Sequence, residues 1–167
     1  MRETFTERDL EELYERCGDA VFRHCLFRVS DREIAKDMVQ EVFVRFWKYS
    51  QKGESVRNSK ALLYRIANNL IIDHYRTRKF NSSLEEVNER GLAGYTSEEG
   101  IIARSEVGQL YVLLERLEEK DRSIFVMRYI DELSPREIGK VLGKSENSVS
   151  VHIHRVVKKI KKITRET

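Results

Sequence analysis

A single proline, Pro135, stands in a chain of 167 residues. Proline breaks a helix interior more firmly than any other residue, so its near absence leaves a helical period free to run almost from end to end. The apolar residues follow that period. Leu10, Leu13, Tyr14, Cys17, Val21 and Cys25 form an inward stripe on a helix from Thr6 to about Val29, with a possible bend at Gly18. No sustained polar and apolar alternation bounded by turn residues marks a strand. The expected fold is all-α, with two small helical domains at 1–80 and 104–167 joined by a flexible linker at 81–103.

Local signals divide the first domain. Ser30 with Glu33 has the spacing of a capping box and opens a second helix through about Tyr49. The segment QKGESVRN reads as a loop, and Ser59 caps a third helix running to about Lys79. From Phe80 to Gly100 the period collapses into acids, polar residues and three of the eight glycines, the composition of a tether. Regular spacing resumes at Ile101–Leu117 and again at Asp121–Tyr129.

The proline itself punctuates the second domain. In LSPREIGKVLGKSENSVSVHIHRVVKKIKK, Leu133 to Lys162, Ser134 is an N-cap, Pro135 takes the first helical position and Glu137 reaches back to the cap. Gly143 stops that helix after about eight residues, and Ser145 caps a longer one whose inward line is Val149, Ile153, Val156 and Ile160. Two helices around a tight glycine turn, with small Gly139 at their crossing, form a helix-turn-helix pattern.

Charge distribution separates the parts further. Residues 1–80 balance at +3, residues 81–118 at −5 and residues 119–167 at +5. A basic C-terminal third points to a polyanion. With Val149 inward, the outer face of the last helix presents Asn147, Val151, His154 and Lys158, flanked by Ser148, Ser150 and Arg155. These side chains suit base edges and phosphates in a major groove. On the second helix Asp37, Gln40, Glu41 and Val44 form an acidic and amide stripe. Such a surface repels phosphate, so as a functional surface it meets a protein. On the third helix Arg65, Asn68, Asn69 and Arg76 mix cations and amides around Tyr75, a set suited to nucleic acid.

Other chemistries find little support. Cys17 and Cys25 are eight residues apart on a helix, about 12 Å, which is too far for a disulfide. With His24 they make at most three metal ligands with no fourth nearby, and the His152-x-His154 pair is a poor clamp because residues two apart on a helix diverge. Asp73 and His74 are adjacent and cannot orient one another as a catalytic pair. No glycine-rich phosphate loop occurs, and neither catalysis nor a cofactor is expected. No apolar run reaches the roughly 20 residues of a membrane span, and the N-terminus lacks a secretory signal, so a cytoplasmic protein without membrane insertion is expected.

Several strings resemble the bacterial sigma-70 family, in the small extracytoplasmic-function (ECF) group that keeps only regions 2 and 4. Asp37-Met38-Val39-Gln40-Glu41-Val42-Phe43 is similar to the D-x-x-Q-E-x-F segment of region 2, and Tyr64 to Arg76 resembles its Y-R-I-A-x-N-x-x-x-D-x-x-R helix. Leu117 to Arg122, Arg128-Tyr129 and the helix-turn-helix resemble region 4. The resemblance implies that Asp37, Gln40, Glu41 and Val44 dock on the β′ clamp helices of core RNA polymerase. It implies that Arg65, Asn68, Asn69, Asp73 and Arg76 engage the minus-ten promoter element, with loop Gln51–Asn58 near a flipped base. It assigns Asn147, Ser148, Ser150, Val151, His154, Arg155 and Lys158 to the minus-thirty-five DNA, a neighbouring surface to the β flap, and an anti-sigma factor to the list of partners. The competing reading is a helix-turn-helix regulator that acts on DNA without polymerase and has no need of the acidic stripe.

Overall fold

The computed structural model describes residues 5–82 and 105–166, and every regular element among them is helical. The chain divides into two compact units, Met1–Glu89 and Arg90–Thr167. Most of the expected linker lies outside the described residues; its first two positions continue a helix.

The first unit packs three helices against one another: α1 (Glu7–Val29), α2 (Arg32–Ser50) and α3 (Ser59–Ser82). Thr6 starts α1 with a reciprocal capping box, its hydroxyl accepting from the Asp9 N–H while its own N–H donates to the Asp9 carboxylate at 2.7 Å. The core is one cluster, with Val21, Cys25, Val42, Phe46, Leu63, Ala67 and Ile71 wholly buried in it. Each large side chain removed from water this way contributes about 1.5–3 kcal/mol.

Three expectations shift here. Ser30 does not cap α2. It stops α1 in the left-handed conformation (φ 55°), its N–H donating to the Leu26 carbonyl, and that backbone is incompatible with the extended geometry of an N-cap. Asp31 takes the cap instead, accepting from the Ile34 N–H at 3.0 Å. One position early in α3, Asn58 rather than Ser59 supplies the cap, accepting from the Ala61 N–H at 2.9 Å. Tyr14, expected inward, is half exposed and lays its ring edgewise on Phe43, with centroids 4.8 Å apart.

In the second unit α4 (Glu106–Glu115) is capped by Ser105 and leads through a short turn to α5 (Glu119–Phe125). Arg122 fastens that turn by donating from Nε at 2.8 Å to the Leu114 carbonyl, which also takes the Leu117 N–H at 3.1 Å. From Val126 to Ile130 the helix widens to a π turn, closed by the Asp131 N–H on the Val126 carbonyl. The sequence pattern predicts plain helix there.

Then come α6 (Pro135–Leu142) and α7 (Glu146–Arg165). The proline motif builds the cap expected of it: Ser134 accepts from the Glu137 N–H, and the Glu137 carboxylate takes the Ser134 N–H at 2.7 Å. Gly143 is left-handed at φ 66° and Ser145 caps α7. A β-carbon at Gly139 would run into the backbone carbonyl of Lys144, so a glycine is what lets the turn close on α6. Leu114, Ile124, Met127, Ile138, Val149 and Val156 form the buried centre of this unit.

Candidate functional site

The burial of α2 decides which of its faces is available. Met38, Val39, Val42, Phe43 and Phe46 are inside, which turns Asp37, Gln40, Glu41 and Val44 outward together. Glu41 is partly engaged within the helix, accepting from Arg45 Nε at 2.6 Å. An exposed i, i+4 pair of this kind contributes only about 0.3–0.5 kcal/mol, so a partner can draw the carboxylate away at small cost.

Along α3, Arg65, Asn69, Asp73 and Arg76 fall on one exposed stripe at spacings of four, four and three. Asp73 and Arg76 approach to 3.9 Å, a loose surface pair. Asn68 does not belong to this surface. It is buried, and its amide oxygen accepts from the fully buried Arg28 at 3.1 Å, joining the end of α1 to α3. The reason is angular: Leu63, Ala67 and Ile71 fix the inner face, and position 68 lies at its edge. Tyr75 also works structurally, its hydroxyl donating to the Arg28 carbonyl. His74 is held below the usual histidine range by burial and then by the charge of Arg78, with Asp31 opposing, so it adds no cation to the stripe at neutral pH.

On α7, Asn147, Ser148, Ser150, Val151, His154, Arg155 and Lys158 are all exposed, while Val149 and Val156 are wholly buried against the rest of the unit. From Arg155 to Arg165 the helix carries six basic residues and no acid. The combination is a smooth, positive, hydrogen-bonding face on a helix fixed from behind, the requirement for reading a groove.

One polar cluster escapes a reading of the sequence. Asp121 of α5 is buried and meets α7 with both carboxylate oxygens: Oδ1 lies 2.8 Å from His152 Nε2, and Oδ2 accepts from Lys159 Nζ. Burial pushes this carboxyl up, but the hydrogen bonds and charges of Lys159 and His152 outweigh it and hold Asp121 below the usual carboxylate range. Asp121 is therefore ionised at neutral pH and only accepts, which places the proton on His152 Nε2. The same contact raises Lys159 above the ordinary lysine value. The partners lie 31 and 38 residues from Asp121 in sequence, and no local pattern joins them.

Among the described residues no group of three or more His, Cys, Asp or Glu could hold a metal ion, and no helix is long and apolar enough to cross a membrane.

Two family models match the chain in order. Sigma-70 region 2 covers residues 13–80 and Sigma-70 region 4 covers residues 108–160. The chain belongs to the sigma-70 family. This sigma factor is 28% identical over 168 residues to the ECF RNA polymerase sigma factor SigW of Bacillus subtilis (strain 168), with 95% of its own length and 88% of the relative covered. It is 24% identical over 158 residues to the ECF RNA polymerase sigma factor SigL of Mycobacterium tuberculosis (strain H37Rv), covering 94% and 89% of the two chains. Among solved structures, the sigma factor RpoE of Bartonella quintana, crystallised with the anti-sigma factor NepR, matches at a TM-score of 0.79 and 16% identity over 95% of this chain and 98% of that one. CnrH, in complex with the cytosolic domain of CnrY, matches at 0.74 and 24% identity over 96% and 90%. The sigma factor thus shares its fold with solved chains of 16% and 24% identity, and SigW and SigL carry the ECF designation.

Proposed function

We propose that this protein is the promoter-recognition subunit of an RNA polymerase, acting by binding and not by catalysis. Asp37, Gln40, Glu41 and Val44 dock on the β′ clamp helices of core polymerase. Arg65, Asn69, Asp73 and Arg76 engage and help open the minus-ten element, while Asn68 supports them from inside. Asn147, Ser148, Ser150, Val151, His154, Arg155 and Lys158 read the minus-thirty-five DNA, and the same unit meets the β flap. The chain works in the cytoplasm, and an anti-sigma factor covers these surfaces when the protein is held inactive.

The observation that carries this reading is the coexistence in one chain of an exposed acidic stripe on α2 and a capped helix-turn-helix with a basic outer face. A helix-turn-helix regulator acting alone needs only the second. The test is the double variant Gln40→Lys, Glu41→Lys. It should fold as the parent does, since both side chains are exposed, yet lose co-purification with core polymerase and promoter-directed transcription in vitro. Retention of both by a folded double variant would return the protein to the class of free-standing regulators.

A further inference from the structure

The basic run at the end of α7 invites the view that all its cations face DNA. The structure separates one of them. Both Lys158 and Lys159 are exposed, but only Lys159 donates to the buried carboxylate of Asp121. His152 meets the other oxygen of the same carboxylate. His152 and Lys159 are seven residues apart, within about 20° of two whole helical turns, so they lie on one flank of α7 separated by about 10 Å along the axis.

The buried side chains of α7 are apolar. Val149 and Val156 are wholly buried, with Ile153 and Ile160 partly so. Branched aliphatic side chains resist separation from a core but give little directional resistance to a small roll of the helix, because burial is non-directional. A carboxylate gripping two points on one flank is directional and does resist it. The direction in which Val151, His154 and Arg155 point from the unit depends on that roll.

We propose that Asp121 is a positioning residue for promoter readout: by binding His152 and Lys159 it fixes the roll of the recognition helix, and it withdraws Lys159 from the phosphate-contacting set. The inference rests on α7 being the DNA-reading helix. It adds that discrimination between sequences, more than affinity for DNA at large, depends on a residue that does not touch DNA.

The experiment uses the full chain, a duplex selected by that chain from a random-sequence pool, and a scrambled duplex of equal composition. Affinities for both are measured by fluorescence anisotropy across a salt series, for the parent, Asp121→Asn, Lys159→Met, Lys158→Met and Arg155→Ala. Lys159→Met should leave the log–log salt slope on scrambled DNA as it was, whereas Lys158→Met should reduce it by about one. Asp121→Asn, which frees Lys159, should steepen the slope by about one and lower the preference for the selected duplex about tenfold, the discrimination of roughly one well-read base pair. The proposal is overturned by Lys159→Met flattening the slope as Lys158→Met does, or by a folded Asp121→Asn chain with undiminished preference. A parallel fall in affinity for both duplexes also overturns it, since that is what mere loosening of the unit produces. If the parent selects no duplex and Arg155→Ala changes nothing, the DNA reading of α7 fails instead.

Discussion

A β-carbon built on Gly139 would stand 2.6 Å from the carbonyl oxygen of Lys144, whose own N–H donates to the Gly139 carbonyl at 2.9 Å. The two residues close the turn of the helix-turn-helix by backbone contact alone. Nothing flexible lies between them to yield. Gly139→Ala should therefore destabilise the second unit by about 1–3 kcal/mol, the range for forced overpacking. At Gly143 the space is open, and only the left-handed backbone opposes a side chain. Gly143→Ala should cost less, about 1 kcal/mol. Urea unfolding followed by far-ultraviolet circular dichroism would rank the two, and equal midpoints would refute the contact argument.

Asn68 and Asn69 are neighbours with opposite assignments. Asn68→Ala removes an acceptor from buried Arg28, and hydrogen bonds to charged groups contribute about 1.5–3 kcal/mol. The first unit should lose stability by that order, reported by Trp47, the only tryptophan. Asn69→Ala should leave stability within about 0.5 kcal/mol and impair promoter opening with core polymerase. The reverse ranking would mean that the sides of α3 are wrongly assigned.

Arg155 is exposed one turn beyond Val151 on the outer face of α7. Arg155→Ala should weaken binding to promoter DNA and, where its contact is to phosphate, lower the log–log salt slope by about one. Titration in a series of salt concentrations decides it, and an unaltered affinity and slope would remove Arg155 from the interface.

Asp121 gives the second unit an acid sensitivity whose sign follows from its surroundings: Glu118 on its own side, His152 and Lys159 on the other. Its carboxyl is depressed in the folded state, so its contribution is complete above the unfolded value of about 3.9 and disappears as pH falls through the lower folded value. The stability difference between the parent and Asp121→Asn should shrink as pH falls below about 4. Urea midpoints at several pH values below about 5 would show this, and a difference that failed to shrink there would contradict the pairing.

What the sequence discloses depends on how far each physical cause reaches along the chain. Ser134, Pro135, Gly143 and Ser145 act on backbone groups within a few residues, and the boundaries of α6 and α7 are legible from them. The acidic stripe on α2 and the outer face of α7 are legible because helical spacing alone turns residues to a common side. Where two neighbours have equal capacity, the pattern misleads by one position. Ser30 and Asp31 both make caps, as do Asn58 and Ser59, and only the closing geometry of α1 and the start of α3 choose between them. The same ambiguity hides the inward turn of Asn68. Asp121 with His152 and Lys159 is illegible in principle, since the fold creates that contact and no local periodicity encodes it.

The π turn at Val126–Ile130 bears on how many residues the unit tolerates at that point. A five-residue hydrogen-bonded turn stores one more residue than α-helical winding would use over the same span. An insertion absorbed inside a helix in this way leaves both flanking segments intact, whereas the same residue in plain helix would rotate everything after it by about 100°. Val126 and Met127 are wholly buried within the turn, so the wide turn is part of the core. A chain one residue shorter at this point would wind the same span as plain helix and keep both flanking segments in register.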